Sequence, residues 1–315
     1  MRNLTRRRAI QVIAAAAGLP LLVAGVRATV PGGRFFGWQG EVLGAASELT
    51  LWHWDEAMAR RTILKMRHEI ERFERIFSLY RDDSEIARLN RDGVLARPSP
   101  ELIAVIDASQ KLGTLSGGAF DISVQPLWRV YEAHFWSRSV VASDIAARAA
   151  DVARSLVDHR RIQPGAARIA LPPGMAITLN GIAQGAITDR MADLLRNEGF
   201  AHAMVDLGEF HALGNHPDGR AWRVATRGSE VALSDNALAV SSGCGTAFEP
   251  SGRFHHIFDP ASGASANMLR EVAVIAPRAM IADALATAIC VLGEARGIEL
   301  LAHYPGARAL VTRAS

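Results

Sequence analysis

The sequence predicts an α+β fold organised as one domain. Segments with the apolar spacing of helices and segments with the alternation of strands are interspersed, without the strict strand–helix repeat of a parallel α/β fold. The chain has 315 residues, 49% of them hydrophobic, so it can bury one large core or two modest ones and is too polar for a multispanning membrane protein. It contains no internal repeat and no low-complexity linker.

Residues 1–28 have the composition of an export signal. Residues 5–10, TRRRAI, form a twin-arginine motif, residues 12–26 are uncharged and apolar, and the final Val-Arg-Ala fits a cleavage site. A membrane anchor is the weaker alternative, because the apolar run is shorter than the roughly 20 residues that a span needs and contains a glycine and a proline. We therefore expect export by the twin-arginine route, a linker at residues 29–40 and a folded domain over residues 41–315.

The net charge excludes a nucleic-acid-binding class. The formal charge is +3, but residues 1–28 hold five arginines and no acidic residue, which leaves a charge of −2 on the remainder. A basic footprint for nucleic acid would have to persist in the folded part.

The two cysteines, Cys244 and Cys290, permit one disulfide in an oxidising compartment. The sequence does not decide whether they meet, and it favours two buried free thiols.

The first elements of the predicted domain are a hairpin and three helices. Residues 41–54 alternate well enough for two strands with a turn at Gly44. Residues 55–77 carry apolar side chains at steps of three and four, which predicts a long amphipathic helix. Ser84 and Ser99 are predicted N-caps of two further helices, the second with a proline in its first turn.

The later segments mix short strands with helices. Residues 143–154 predict an alanine-rich helix, and residues 176–199 predict a strand at Ile177 and Leu179, a glycine loop and a helix. Further strands are predicted at residues 168–171, 203–214, 222–228, 237–243, 271–276 and 309–312.

The stretch from Ser241 to Thr287 gathers residue types that serve phosphate chemistry. It contains a Ser-Ser-Gly turn, adjacent His255 and His256, and Asp283 four residues before Thr287. On a helix that spacing places both oxygen side chains on one face. By themselves these residues have structural alternatives, since histidines often complete turns and an aspartate often lies in the first turn of a helix.

Three other positions are candidates with equally ordinary alternatives. Tyr80 could stack on a planar ligand or pack in the core. Asp121 follows two glycines and could contact a ligand or cap a helix. The loop with Gly181 and Gly185 precedes a helix N-terminus, which binds phosphate in some proteins and serves plain strand-to-helix packing in others.

Taken together, the motifs resemble the ApbE family of FAD:protein FMN transferases. Six segments occur in family order and cover most of residues 41–293; each is weak alone, and the ordered set is specific. They are FSLYRDDSEIARLN, SGGAFDISVQPLW, LNGIAQGAITDRMADLL, the SSG turn, HHIFDPASG and ADALATA. The LNGIAQG variant and the export signal are most similar to the periplasmic branch that includes NosX.

The resemblance implies a metal-dependent reaction on FAD, within a compact domain of mixed or antiparallel sheets and flanking helices. FAD is cleaved at its pyrophosphate with Mg²⁺ or another divalent cation, and FMN is joined through its phosphate to a Thr or Ser of a partner protein, releasing AMP. The partner it implies is a periplasmic or membrane-bound flavin acceptor, such as a NosR-like redox protein.

The resemblance also assigns roles to residues of this chain. His256 matches the proposed base toward the incoming hydroxyl, and His255 is expected to be structural. The metal ligands would be Asp283, Thr287 and a backbone oxygen at Gly181. The residues expected to contact FAD are Tyr80, Ala119, Phe120, Asp121, Thr178, Gln184 and Ile257.

Four positions depart from the family pattern. The family commonly has Asp at Thr178, Lys at Gln184, Met at Leu43 and a Gly-Gly pair at Gly208-Glu209. Losing the lysine removes a cation that could neutralise phosphate, so the metal and Gln184 would carry more of that task. Two alternatives therefore stay open: an accessory protein that binds or delivers FAD without transfer, and a metal-dependent FAD pyrophosphatase.

Overall fold

A computed structural model describes residues 32–136 and 147–314. The predicted signal at residues 1–28 lies outside the described residues, as does the start of the helix predicted from residue 143. Among the helices in these two ranges, none combines the length and apolar character needed to cross a membrane.

The described chain contains strands and helices in mixed order. The strands are β1 (Arg34–Val42), β2 (Ala45–His53), β3 (Val94–Ala96), β4 (Arg168–Ala170), β5 (Ala203–Asp206), β6 (Phe210–Leu213), β7 (Trp222–Ala225), β8 (Glu230–Leu233), β9 (Ala237–Ser241), β10 (Leu269–Ala276) and β11 (Arg308–Arg313). The helices are α1 (Glu56–Phe77), α2 (Glu85–Asp92), α3 (Pro100–Leu115), α4 (Gln125–Trp136), α5 (Ala147–Ser155), α6 (Ala183–Asn197), α7 (Ala279–Leu292) and α8 (Glu294–Leu301).

Seven strands form one antiparallel sheet in the order β1-β2-β5-β6-β9-β10-β11. β10, next to the edge strand β11, is buried on both faces, as expected for a strand whose sheet is covered on both sides. Val272 and Val274 join the main core, which includes residues of α1, α6 and α7, whereas Ala273 and Ile275 join a second cluster with the β7–β8 hairpin. The α+β prediction is confirmed, with helices on one face and a hairpin on the other.

The β1–β2 hairpin turns at Leu43 and Gly44, which have φ of 50° and 88°. Positive φ at both central residues is the geometry that matches the twist of a two-residue hairpin. β1 begins at Arg34, so part of the stretch expected as a linker, residues 29–40, is paired with β2.

Local capping signals are confirmed. The predicted caps Ser84 and Ser99 each accept a backbone N–H in the first turn of α2 and α3, at 3.1 and 3.2 Å. These interactions need only residues close in sequence, which is why the sequence predicts them.

The strand predicted at Ile177 and Leu179 is wrong. This segment is irregular, and its backbone is satisfied by distant groups instead of a neighbouring strand. The Asn90 side chain binds both the N–H and the C=O of Ile177 at 2.7 Å, and the N–H of Thr178 donates to the carbonyl of Ile122 at 2.7 Å.

Candidate active site

α7 presents the predicted cation ligands toward α6 and β9. The Asp283 side chain is buried, and its Oδ2 accepts the backbone N–H of Gly185 at 3.1 Å. One turn later, Thr287 Oγ1 lies 3.3 Å from the hydroxyl of Ser241 at the end of β9. Both oxygen side chains are therefore held at the junction of two helices and the sheet.

Gly181 lies directly against Thr287. A Cβ at Gly181 would lie 2.9 Å from Thr287 Oγ1 and 3.5 Å from Cε2 of Phe120. Only a residue without a side chain lets the backbone approach so closely. The structure thus brings together Gly181, Thr287 and Phe120, three of the residues singled out from the sequence.

Two buried acidic groups, Asp189 and Glu209, lie near Asp283, and Asp206 lies near Glu209. Burial, and secondarily the carboxylate of Asp189, raises the pKa of Asp283 to about 7. Burial followed by the charge of Asp283 raises the pKa of Glu209 well above its usual range, and burial raises that of Asp206 to about 6. Across the described residues, no salt bridge reaches Asp283 or Glu209. A bound cation would supply the missing positive charge, so the donor set fits a hard cation.

The protein alone supplies few ligands for such a cation. Among the described residues, no group of three or more His, Cys, Asp or Glu side chains could hold a metal ion. One carboxylate, one hydroxyl and a backbone oxygen instead suit Mg²⁺, which commonly takes one or two carboxylates and completes its shell with water and substrate phosphate oxygens.

His256 has the protonation state that a base requires. Its Nδ1 lies 3.2 Å from the carbonyl oxygen of Thr246, so Nδ1 carries the proton and Nε2 presents a lone pair. Burial, followed by the neighbouring His255, lowers the pKa of His256 to about 4. The ring is consequently neutral at physiological pH.

The last residue of β9 and the loop that follows it, residues 241–246, lie between Thr287 and His256 and bring contacts to both. Ser241 contacts Thr287 at one end of the loop, and Thr246 contacts His256 at the other. Between them the hydroxyl of Ser242 donates to the carbonyl of Arg270 at 2.9 Å, which ties the loop to β10.

His255 occupies a structural position, as the sequence suggests. It is buried, its ring Nδ1 accepts the backbone N–H of Ile257 at 3.2 Å, and its backbone N–H donates to Ser265 Oγ at 2.9 Å. Ile257 is itself buried in the main core.

The predicted FAD contacts fall in two kinds of environment. Tyr80 is half exposed and lies near the β1–β2 turn, where a Cβ on Gly44 would be 3.5 Å from its ring. Ala119 and Phe120 are buried.

Asp121 chiefly makes structural contacts. One carboxylate oxygen accepts from the N–H and hydroxyl of Ser123 at 2.7 and 2.5 Å, and the other lies 2.9 Å from the N–H and 3.1 Å from Nδ1 of His159. These contacts match the capping alternative, and a nucleotide contact for Asp121 stays a prediction.

Thr178 and Gln184 are the two expected FAD contacts that differ from the family pattern. Thr178 lies in the segment before α6, and Gln184 lies in the first turn of α6. The Thr178 hydroxyl accepts the N–H of Asn180 at 3.3 Å. The amide of Gln184 lies against Gly208, where a Cβ would be 2.5 Å from Nε2. Gln184 therefore reaches the turn that carries Glu209.

The cysteines are not joined. Cys290 is buried and burial raises the pKa of its thiol to about 12, whereas Cys244 is exposed. The expectation of two buried thiols is thus wrong for Cys244, because it lies on the 3₁₀ turn at Gly243–Gly245.

Three residues near the site were not assigned a role from the sequence: Asp189, Glu209 and Ser241. Each comes to Asp283 or Thr287 from a different element. The sequence offered two signals, the Ser-Ser-Gly turn that begins at Ser241 and the departure from Gly-Gly at Gly208-Glu209. The position of Asp189 depends on long-range packing.

Comparison with known proteins gives consistent matches. The model of the ApbE family matches residues 43–311. The FAD:protein FMN transferase of Vibrio cholerae serotype O1 is 31% identical over 70% of this chain and 70% of its own length. A relative of that name from Klebsiella pneumoniae (strain 342) is 28% identical and covers 87% of this chain and 81% of its own.

Solved structures share the fold. The flavin transferase ApbE from Vibrio cholerae superposes with a TM-score of 0.77 at 24% identity, covering 90% of this chain and 94% of the other. The apo flavinyl transferase ApbE of Pseudomonas stutzeri also gives a TM-score of 0.77 at 24% identity, covering 90% and 92%.

Proposed function

The chain belongs to the ApbE family, and from that premise we propose that it is an FAD:protein FMN transferase. The observation that carries the proposal is the contact of Gly181 with Thr287 and Phe120, one helical turn from the buried Asp283, with a loop from Ser241 leading to a neutral His256. Its curated relatives of this name support the same activity.

We infer that Asp283, Thr287 and the backbone oxygen of Gly181 would hold a divalent cation, Mg²⁺ by their hard-oxygen chemistry. When bound there, it would neutralise charge on the pyrophosphate of FAD. The cation is needed all the more because Gln184 is neutral where the family commonly has a lysine that could neutralise phosphate.

His256 is proposed to accept the proton of the incoming hydroxyl on Nε2. The hydroxyl oxygen of the partner's Thr or Ser forms a bond to the FMN phosphorus, and the bond from that phosphorus to the bridging oxygen breaks, so AMP leaves with the bridging oxygen. The carbonyl oxygen of Thr246 accepts the proton on Nδ1 in a hydrogen bond, which leaves the lone pair of Nε2 free to accept the proton of the hydroxyl.

The flavin half is proposed to contact Tyr80 and Phe120. Tyr80 offers a half-exposed ring, and Phe120 packs beside Gly181 at the cation site. Gln184 and Thr178 can donate hydrogen bonds to phosphate or ribose oxygens at the entrance to α6.

The N-terminal sequence supports a proposal about the compartment and the class of acceptor. We propose export by the twin-arginine route to the periplasm and a periplasmic or membrane-bound flavin acceptor. The arginine motif in residues 1–28 and the similarity to the NosX branch support this, and a NosR-like redox protein is the acceptor class to test first.

Glu209 and Gln184 motivate a second candidate, an FAD-binding accessory protein. Relative to the family pattern, these positions add a buried acid and remove a cation, which weakens phosphate neutralisation more than flavin binding. FAD pyrophosphatase activity is the remaining alternative and differs only in the acceptor, which would be water.

Product analysis separates the three functions. Purified protein is incubated with FAD, Mg²⁺ and the flavin-acceptor domain of an exported redox protein, and the mass of the acceptor and the nucleotide products are measured. Transfer adds one FMN minus water to a Thr or Ser and releases equal AMP; free FMN indicates the pyrophosphatase, and bound FAD without products indicates the accessory protein. Asp283→Ala should abolish transfer, whereas Asp193→Asn, on the exposed side of α6, serves as the matched control.

A further inference from the structure

We propose that Asp189 is a positioning residue for the cation site, fixing the first turn of α7, and thereby Asp283 and Thr287, against α6. The inference rests on the proposed function, because it concerns how tightly that site holds its cation.

α6 and α7 are joined by a reciprocal pair of contacts. Ala279 N–H donates to Asp189 Oδ1 at 2.7 Å, and Gly185 N–H donates to Asp283 Oδ2 at 3.1 Å. In each helix the carboxylate lies four residues after the donated N–H, so both partners lie on one face. We call Gly185, Asp189, Ala279 and Asp283 the α6–α7 clamp.

The clamp leaves little room for adjustment. A Cβ at Gly185 would lie 2.4 Å from the carbonyl oxygen of Ala279 and 2.6 Å from Cα of Met280, so the two helices touch through their backbones. Asp189 Oδ2 also accepts the N–H of Met280 at 3.0 Å. Its carboxylate thus satisfies two of the unpaired N–H groups at the start of α7.

The two carboxylates of the clamp differ in their partners. Asp189 is buried and lies 3.0 Å from Nδ1 of His211 and 3.2 Å from Nε of Arg278. No such basic side chain is paired with Asp283 among the described residues. Asp189 therefore has its full set of protein partners, while Asp283 is left to meet a cation.

Replacing Asp189 by asparagine should loosen the cation site without removing a ligand. The amide group presents an N–H toward a backbone N–H of Ala279 or Met280, so one of the two capping bonds is lost. The first turn of α7 then shifts relative to Gly181. Changes in residues that orient metal ligands typically reduce metal affinity 10- to 100-fold, and we expect about tenfold.

The test measures cation binding directly. Mn²⁺ is titrated into the full chain in the presence of FAD and followed by electron paramagnetic resonance, and the Mg²⁺ concentration for half-maximal FMN transfer is measured in parallel. Asp189→Asn should raise both the Mn²⁺ dissociation constant and the Mg²⁺ concentration for half-maximal transfer about tenfold. Transfer should recover at saturating Mg²⁺, a recovery that general loss of structure would not produce.

Asp193→Asn is the matched control. It breaks the ion pair of Asp193 with Arg278, at 2.8 Å, near the same end of α7, but leaves the N–H groups capped. Both values should stay at wild type. Should Asp189→Asn not fold, Asp189→Glu retains the charge for His211 and Arg278 but displaces the carboxylate, and it should weaken Mn²⁺ binding in the same direction.

An unchanged Mn²⁺ affinity in a folded Asp189 variant overturns the inference while leaving the transferase proposal intact. Absence of metal-dependent transfer in the wild-type protein overturns the proposed function itself.

Discussion

Gly181→Ala is a steric probe of the proposed cation site. Its Cβ would lie 2.9 Å from Thr287 Oγ1, about 0.5 Å short of the 3.4 Å at which ordinary contact begins, and 3.4 Å from Cγ2. Gly181 is not among the glycines with positive φ, so alanine is compatible with the backbone and the disturbance falls on the Thr287 hydroxyl. We expect cation affinity to fall about tenfold, or about 1.4 kcal/mol.

A double-mutant cycle shows whether the effect passes through Thr287. Thr287→Ala removes the hydroxyl, and adding Gly181→Ala should then cost little more, giving a coupling energy of about 1 kcal/mol. Mn²⁺ titration with FAD supplies the affinities, and Gly37→Ala on edge strand β1 controls for the general effect of replacing glycine. Additive losses would refute the direct steric coupling of Gly181 and Thr287.

Three further predictions concern packing, pH and the base. Gly185→Ala drives a Cβ into the backbone of Ala279, so the unfolding free energy should fall by about 1–3 kcal/mol in urea melts, and wild-type stability would contradict the close helix contact. Burial raises the pKa of Asp206 to about 6, so between about pH 4 and 6 the folded state holds a proton that the unfolded state has lost, and stability falls as pH rises through this range. Asp206→Asn should therefore be about 2 kcal/mol more stable than wild type at pH 7 and equally stable below pH 4, as checked by urea melts at both pH values. His256→Gln should slow transfer about 10²-fold or more while sparing FAD affinity by fluorescence titration, and the wild-type rate should show no histidine titration near pH 6.5, because the pKa of His256 is about 4.

Sequence reasoning succeeds where the deciding contacts are local. The caps at Ser84 and Ser99 and the four-residue spacing of Asp283 and Thr287 depend only on nearby residues. These signals locate most helices and strands and place Asp283 and Thr287, the proposed cation ligands, on one helix.

The sequence-based predictions fail where contacts between distant segments decide the structure. Ile177 has strand-like alternation, but the Asn90 side chain satisfies its backbone and no strand forms. Likewise, the proximity of Glu209 to Asp283 and the capping of α7 by Asp189 arise when α6, β6 and α7 pack together. No periodicity within any one segment contains that information.

The identity of the cation ligands is tested most directly by crystals grown with FAD and Mn²⁺, using the anomalous signal of manganese. We predict a single strong manganese peak bonded to the oxygens of Asp283 and Thr287, with pyrophosphate oxygens of FAD completing its shell beside Gly181. A pyrophosphate bound away from these residues, or manganese bound elsewhere, would contradict it.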